Sequence, residues 1–110
     1  MFSLEEGIKA VKLARKVIEK YVKGEEIEIT EKLPSKFDQK LGVFVTIDTY
    51  PEKELRGCIG YPEPTLELAN AIIDSAKNAC NDPRFEPLSE EELEKVVVEV
   101  SILTPPELIV

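Results

Sequence analysis

Arg56-Gly57-Cys58 sits in the middle of Glu54-Leu-Arg-Gly-Cys-Ile-Gly-Tyr-Pro-Glu-Pro64, a stretch that otherwise reads as a strand running into a turn. A charge, a residue without a side chain and a thiol make a poor strand, so chemistry has to be weighed at this point. Side chains alternate along a strand. If Leu55 and Ile59 point inward, Arg56 and Cys58 point outward together, and Gly57 between them admits a ligand or another backbone. A guanidinium near a thiol favours the thiolate over a free thiol of pKa ~8.5. That would make Cys58 either a nucleophile or part of an anion-binding floor. The structural alternative stays open: free cysteine is often a small buried hydrophobe, and such a glycine marks a bulge or tight packing.

What is missing narrows the chemistry. The 110 residues contain no histidine and two cysteines, with no Cys-x-x-Cys spacing. Cys–His and Ser–His catalysis therefore cannot be completed within the chain. Neither a zinc site nor any other metal site is expected, and no cofactor. Asp48 and Tyr50, on the strand expected beside Cys58, are the nearest polar candidates for assisting it. Cys80 lies on an apolar helical stripe and reads as core.

Fourteen basic against twenty-two acidic residues give a net charge of −8. That balance argues against non-specific nucleic-acid binding, which depends on neutralising phosphates. No apolar run approaches the ~20 residues of a membrane-spanning helix, and the N-terminus lacks a signal-peptide core. No membrane association is expected, and a cytoplasmic location is. The length suits one domain over residues 1–110.

The elements that must position Cys58 follow from capping and periodicity. Ser3 and Glu6 form a capping box ahead of a helix over about Leu4 to Val22, stopped by Gly24. Leu4, Ile8, Val11, Ala14, Ile18, Tyr21 and Val22 share its apolar face. Lys9, Lys12, Lys16, Lys20 and Lys23 form an opposing stripe that reads as a solvated face. Residues 25–30 read as a short strand or extended segment, and residues 32–42 as loop. Val43–Tyr50 is β-rich, and Leu55–Ile59 returns beside it as a hairpin. Thr65 is the expected N-cap of a helix reaching roughly Cys80, with Leu66, Ala69, Ile72, Ile73, Ala76 and Cys80 inward. Ser89 and Glu92 form a second capping box on a short helix. A strand follows, with Val96, Val98, Val100 and Ile102 on one face. Residues 1–24 carry net +3 and residues 84–110 net −5, an asymmetry that could orient packing between the chain ends.

Leu55-Arg-Gly-Cys-Ile-Gly60, Asp82-Pro-Arg-Phe85 and Glu99-Val-Ser-Ile-Leu-Thr-Pro-Pro-Glu107 together resemble the AMMECR-one domain family, specifically the N-terminal part of its domain. The resemblance covers essentially the whole chain. It implies an α+β fold in two layers, a mostly antiparallel sheet with helices packed against it. It implies no settled activity. Carried over, the candidate surface is Arg56, Gly57, Cys58 and Gly60, with Arg84 beside them. The family's domain usually continues past the Pro-Pro-Glu block, so a site shared with that further part would be incomplete here.

Two functions remain in view. The first is a binding or interaction module that offers the Leu55–Gly60 surface to an unknown small ligand or protein partner. The second is an enzyme, or half of one, with Cys58 as nucleophile and Arg56 as electrostatic partner. The strand near the C-terminus is also expected to keep an open edge. That edge would serve a homodimer or a separately supplied remainder of the domain, with Glu107–Val110 near the contact.

Overall fold

Ser3 opens the first helix in the way its spacing predicts. Its hydroxyl accepts from the Glu6 N–H at 3.1 Å, and the Glu6 carboxylate accepts from the Ser3 N–H at 2.8 Å. In this computed structural model, which describes residues 2–104, helix α1 runs Leu4–Val22 and gives way at Gly24, whose φ of 71° suits only glycine well. Glu107–Val110, expected near a contact, lies outside the described residues.

Three strands make one antiparallel sheet. β1 (Gly42–Thr49) is central, between β2 (Leu55–Tyr61) and β3 (Val96–Leu103). Helix α2 (Leu68–Ala79) lies between the hairpin and the second half of the chain. The α+β architecture is as expected. So are the bounds of α1, the β1–β2 hairpin and the alternation of β3, in which Val96, Val98, Val100 and Ile102 are the more covered set.

The core lies on one side of the sheet. Val43, Val45 and Ile47 of β1 are fully buried against Ala14, Val17 and Ile18 of α1 and Leu68, Ile72 and Ala76 of α2. Cross-strand register extends this face into three rows: Tyr61–Val43–Ile102, Ile59–Val45–Val100 and Gly57–Ile47–Val98.

Several expectations shift. The buried stripe of α1 is Ala10, Leu13, Ala14, Val17 and Ile18, while Leu4 is 83% exposed and Ile8 and Tyr21 are also exposed. The middle of α1 is covered from two sides, by α2 and by the sheet. α2 starts at Leu68 because Glu67 stays extended: Lys40 and Glu67 form a β-bridge, and the Leu68 N–H donates to the Gln39 carbonyl. Its buried set is accordingly Leu68, Ala71, Ile72, Ser75, Ala76 and Ala79. The supposed loop before β1 contains a 3-10 turn, Ser35–Asp38, that drives Phe37 fully into the core. Residues 25–30 form no strand, and Leu55 is exposed instead of inward-facing.

The charge asymmetry has a structural counterpart. Arg15 of α1 donates to the carbonyls of Leu93 at 2.6 Å and Val96 at 3.2 Å, fastening the basic helix to the acidic 3-10 turn Glu90–Lys95. Of the lysine stripe, Lys16 pairs with Glu31 at 3.0 Å and Lys20 with Glu25 at 3.8 Å.

Candidate functional site

Cys58 lies on β2 directly opposite Thr46 of β1, on the face of the sheet turned away from the core. The same register places Glu99 of β3 on the far side of Thr46, so one cross-strand row reads Cys58–Thr46–Glu99. The Cys58 Sγ and Thr46 Oγ1 are 3.3 Å apart, and the thiol is half-buried. Phe44 and Gly60 form the adjacent pair on this face.

Each neighbour of Cys58 is held by something specific. Gly57 faces the helices: a Cβ there would sit 2.3 Å from the Ala79 carbonyl oxygen, so the close approach is by the end of α2. Gly60 is hemmed in by β1 itself, a Cβ there lying 2.1 Å from the Val43 carbonyl oxygen and 2.7 Å from the Phe44 ring. Both glycines are therefore required by backbone packing.

Arg56 does not share its charge with Cys58. The β1–β2 register shifts between Ile47 and Asp48. Past that irregularity, Arg56 Nε and Nη2 bind Glu92 at 2.7 and 2.9 Å, and Nη2 also reaches the Pro87 carbonyl at 3.3 Å. Its side chain is 14% exposed. Glu92 completes the second capping box at Ser89, as expected from the sequence. The Arg56 hydrogen bonds hold the Glu92 carboxyl down at about 2. The strand alternation alone put Arg56 beside Cys58; the bulge and a carboxylate thirty-six residues away take it elsewhere.

Arg84 is the guanidinium that comes to Cys58. Asp82 is the organiser, with a side chain only 1% exposed. Its Oδ2 accepts from the Cys58 N–H at 3.0 Å and from Arg84 Nη2 at 2.7 Å, and its Oδ1 accepts from the Arg84 N–H and Nε, both at 3.0 Å. Arg84 Nη2 in turn donates to the Cys58 carbonyl at 3.3 Å. The Arg84 bonds hold the Asp82 carboxyl well below the usual carboxylate range. Asp82 and Arg84 thus take up the outward N–H and C=O of Cys58, in the manner of a neighbouring strand.

Cys80 is buried as expected. Its Sγ lies 3.4 Å from the Ala76 carbonyl, and burial pushes the thiol up to about 11. Of the two polar residues expected near Cys58, Asp48 lies opposite Leu55, and Tyr50 is exposed beyond the end of β1. Sequence reasoning missed Thr46, Asp82 and Glu92 as parts of the site. Thr46 was legible in principle, since it lies on the outward face of a strand paired with β2. The other two depend on pairings over long sequence distances. Among the described residues, no group of acidic or sulfur side chains has the arrangement to hold a metal ion.

Residues 11–110 match the AMMECR1 family. Protein MJ0810 of Methanocaldococcus jannaschii is 54% identical over 99% of this chain and 54% of its own length. Protein PH0010 of Pyrococcus horikoshii is 51% identical over 90% of this chain and 50% of its own. The crystal structure of PH0010, described there as uncharacterised, superposes with a TM-score of 0.85, covering 96% of this chain and 54% of that one. The chain spans about half the length of these relatives. On the extent of the match and the identity of its relatives, the chain belongs to the AMMECR1 family.

Proposed function

We propose that this chain is a binding module whose recognition surface is the outward face of β1 and β2 around Cys58 and Thr46, offered to a small ligand or a protein partner. One observation carries the reading. The Cys58 thiol lies half-buried on that face beside Thr46, while Arg56, Asp82 and Glu92 nearby are ion-paired and spent on structure. Arg84 stays 57% exposed at the rim. Its Nε and Nη2 are occupied, and Nη1 is the part of the guanidinium left to meet a polar group.

Catalysis by Cys58 is the second reading, favoured by the 3.3 Å contact with the Thr46 hydroxyl and by Arg84 on the Cys58 backbone. It lacks the usual histidine base, because the chain has no histidine. Among the described residues, no carboxylate is placed against the Cys58 thiol in its stead. Binding needs no base and is the better-supported reading.

A fragment screen observed through the protein's own amide resonances tests it. Hits should perturb Thr46, Cys58 and Glu99 and should weaken when Cys58 is carbamidomethylated. Hits confined to the groove of about 240 Å³ bounded by Lys9, Lys12, Leu13, Glu31, Lys32 and Leu33 would overturn the assignment.

A further inference from the structure

Two ion pairs lay the segment after α1 back along the helix. Glu25 pairs with Lys20 at 3.8 Å and Glu31 with Lys16 at 3.0 Å, so the chain beyond Gly24 runs back toward the start of α1. Leu33, two residues past the second pair, packs partly buried against the core. These pairs use up part of the lysine stripe and leave the rest. Lys9 and Lys12 precede Lys16 by two turns and one turn of the helix. Among the described residues neither makes an ion pair, and neither does Lys32 beside Glu31. All three are exposed.

Those three lysines line one groove of about 240 Å³ between the helix and the returning segment, with Leu13 and Leu33 as its apolar part and Glu31 as its acidic member. Three lysines against one glutamate leave the lining at +2, on a chain whose net charge is −8. Glu31 is already engaged by Lys16. Like charges around one space repel, and an anion placed between them relieves that repulsion. A wider groove of about 700 Å³ adjoins and shares Lys9, Lys32 and Leu33, but Glu5 and Glu6 also line it. An anionic group therefore belongs in the narrower groove.

We propose that the groove bounded by Lys9, Lys12, Lys32, Leu13 and Leu33 is a binding site for a small phosphomonoester with an apolar body. A phosphomonoester carries about −1.5 to −2 charges at neutral pH and three strong acceptor oxygens, which matches the +2 lining and its three ammonium groups. Lysine serves phosphate as a mobile point charge, whereas planar bidentate recognition would call for arginine. The two leucines receive the body of the ligand. The volume lies below the ~300–1,000 Å³ of pockets for drug-sized molecules, so that body is about the size of one ring. The site stands on α1, on the helix side of the sheet, and adds to the Cys58 surface without replacing it.

Phenyl phosphate is the probe, titrated into the whole chain and followed through its backbone amide resonances. Saturable shifts are expected at Lys9, Lys12, Lys32 and Leu33, with Thr46, Cys58 and Glu99 unmoved. Inorganic phosphate and phenol, each carrying one part of the probe, should bind at least about tenfold more weakly. Lys9→Gln and Lys32→Gln should each weaken phenyl phosphate about fivefold, the scale of one exposed charge pair. Lys53→Gln, exposed in the β1–β2 turn and outside the groove, should leave it unchanged. Resonances outside the groove that match the parent show that each variant folds. Absence of saturable binding overturns the proposal, as does inorganic phosphate or phenol binding as tightly as phenyl phosphate. An equal loss from Lys53→Gln would reduce the effect to diffuse charge attraction and overturn it too. Tighter binding of hexaglutamate at the same residues would give the groove to an acidic protein partner and equally overturn it.

Discussion

Asp82 Oδ2 accepts the backbone N–H of Cys58 at 3.0 Å while its carboxylate is gripped by Arg84. A carboxylate that is 1% exposed thereby does the work of an edge strand for the residue that carries the thiol. The position of Cys58 consequently depends on a residue twenty-four positions away.

Asp82→Asn should loosen this arrangement. The amide can still accept one hydrogen bond but loses the charge that binds Arg84, and hydrogen bonds to charged groups contribute about 1.5–3 kcal/mol each. A stability loss of about 2 kcal/mol in urea unfolding is expected, together with faster exchange of the Cys58 amide. Arg84→Ala should cost less, because Arg84 is largely exposed and its pairing is screened by solvent. An Asp82→Asn protein as stable as the parent would remove Asp82 from its organising role.

Acid should release both carboxylates. Glu92 is held at about 2 against an ordinary value of 4.5, and Asp82 is also held down. A depressed carboxylate binds fewer protons folded than unfolded, so its stabilisation is present above the unfolded value and is lost as pH falls through the folded one. The urea midpoint should therefore drop between pH 4.5 and about 2. Glu92→Gln, which can still cap at Ser89, should lose about 1 kcal/mol at neutral pH and show a shallower decline in acid. A decline of unchanged slope would contradict the role of the Arg56–Glu92 pair.

The glycines separate packing from helix propensity. Gly57→Ala would place a methyl 2.3 Å from the Ala79 carbonyl oxygen, and Gly60→Ala one 2.1 Å from that of Val43. Overpacking against backbone costs about 1–3 kcal/mol or more. Gly7, within α1, has nothing within 4 Å of such a methyl. Gly7→Ala should therefore stabilise by about 0.5–1 kcal/mol. Thermal unfolding of the three variants checks the opposite signs.

Local signals were readable in the sequence because they act over a few residues. The Ser3–Glu6 and Ser89–Glu92 boxes, the extent of α1 and the period-two pattern of β3 all depend on neighbours within a turn or a strand. The start of α2 was not readable, because it is set by the bridge between Lys40 and Glu67. Phe37 was hidden in a polar loop whose 3-10 turn is fixed only by the core it fills. At the site, alternation correctly turned Cys58 away from the core. It failed for Arg56, where a bulge and the distant Glu92 override the local pattern. Cysteine, threonine and arginine types were visible, and their pairings were not.

The reactivity of the two thiols tests the account's central claim, that Cys58 is presented on the uncovered face of the sheet. The folded protein is treated with iodoacetamide near neutral pH, and each cysteine-containing peptide is quantified by mass over time. Cys58, half-buried beside Thr46, should label at least about tenfold faster than Cys80, which is buried and has its thiol raised to about 11. Equal protection of both cysteines in the folded protein would contradict it and make Cys58 a packing residue.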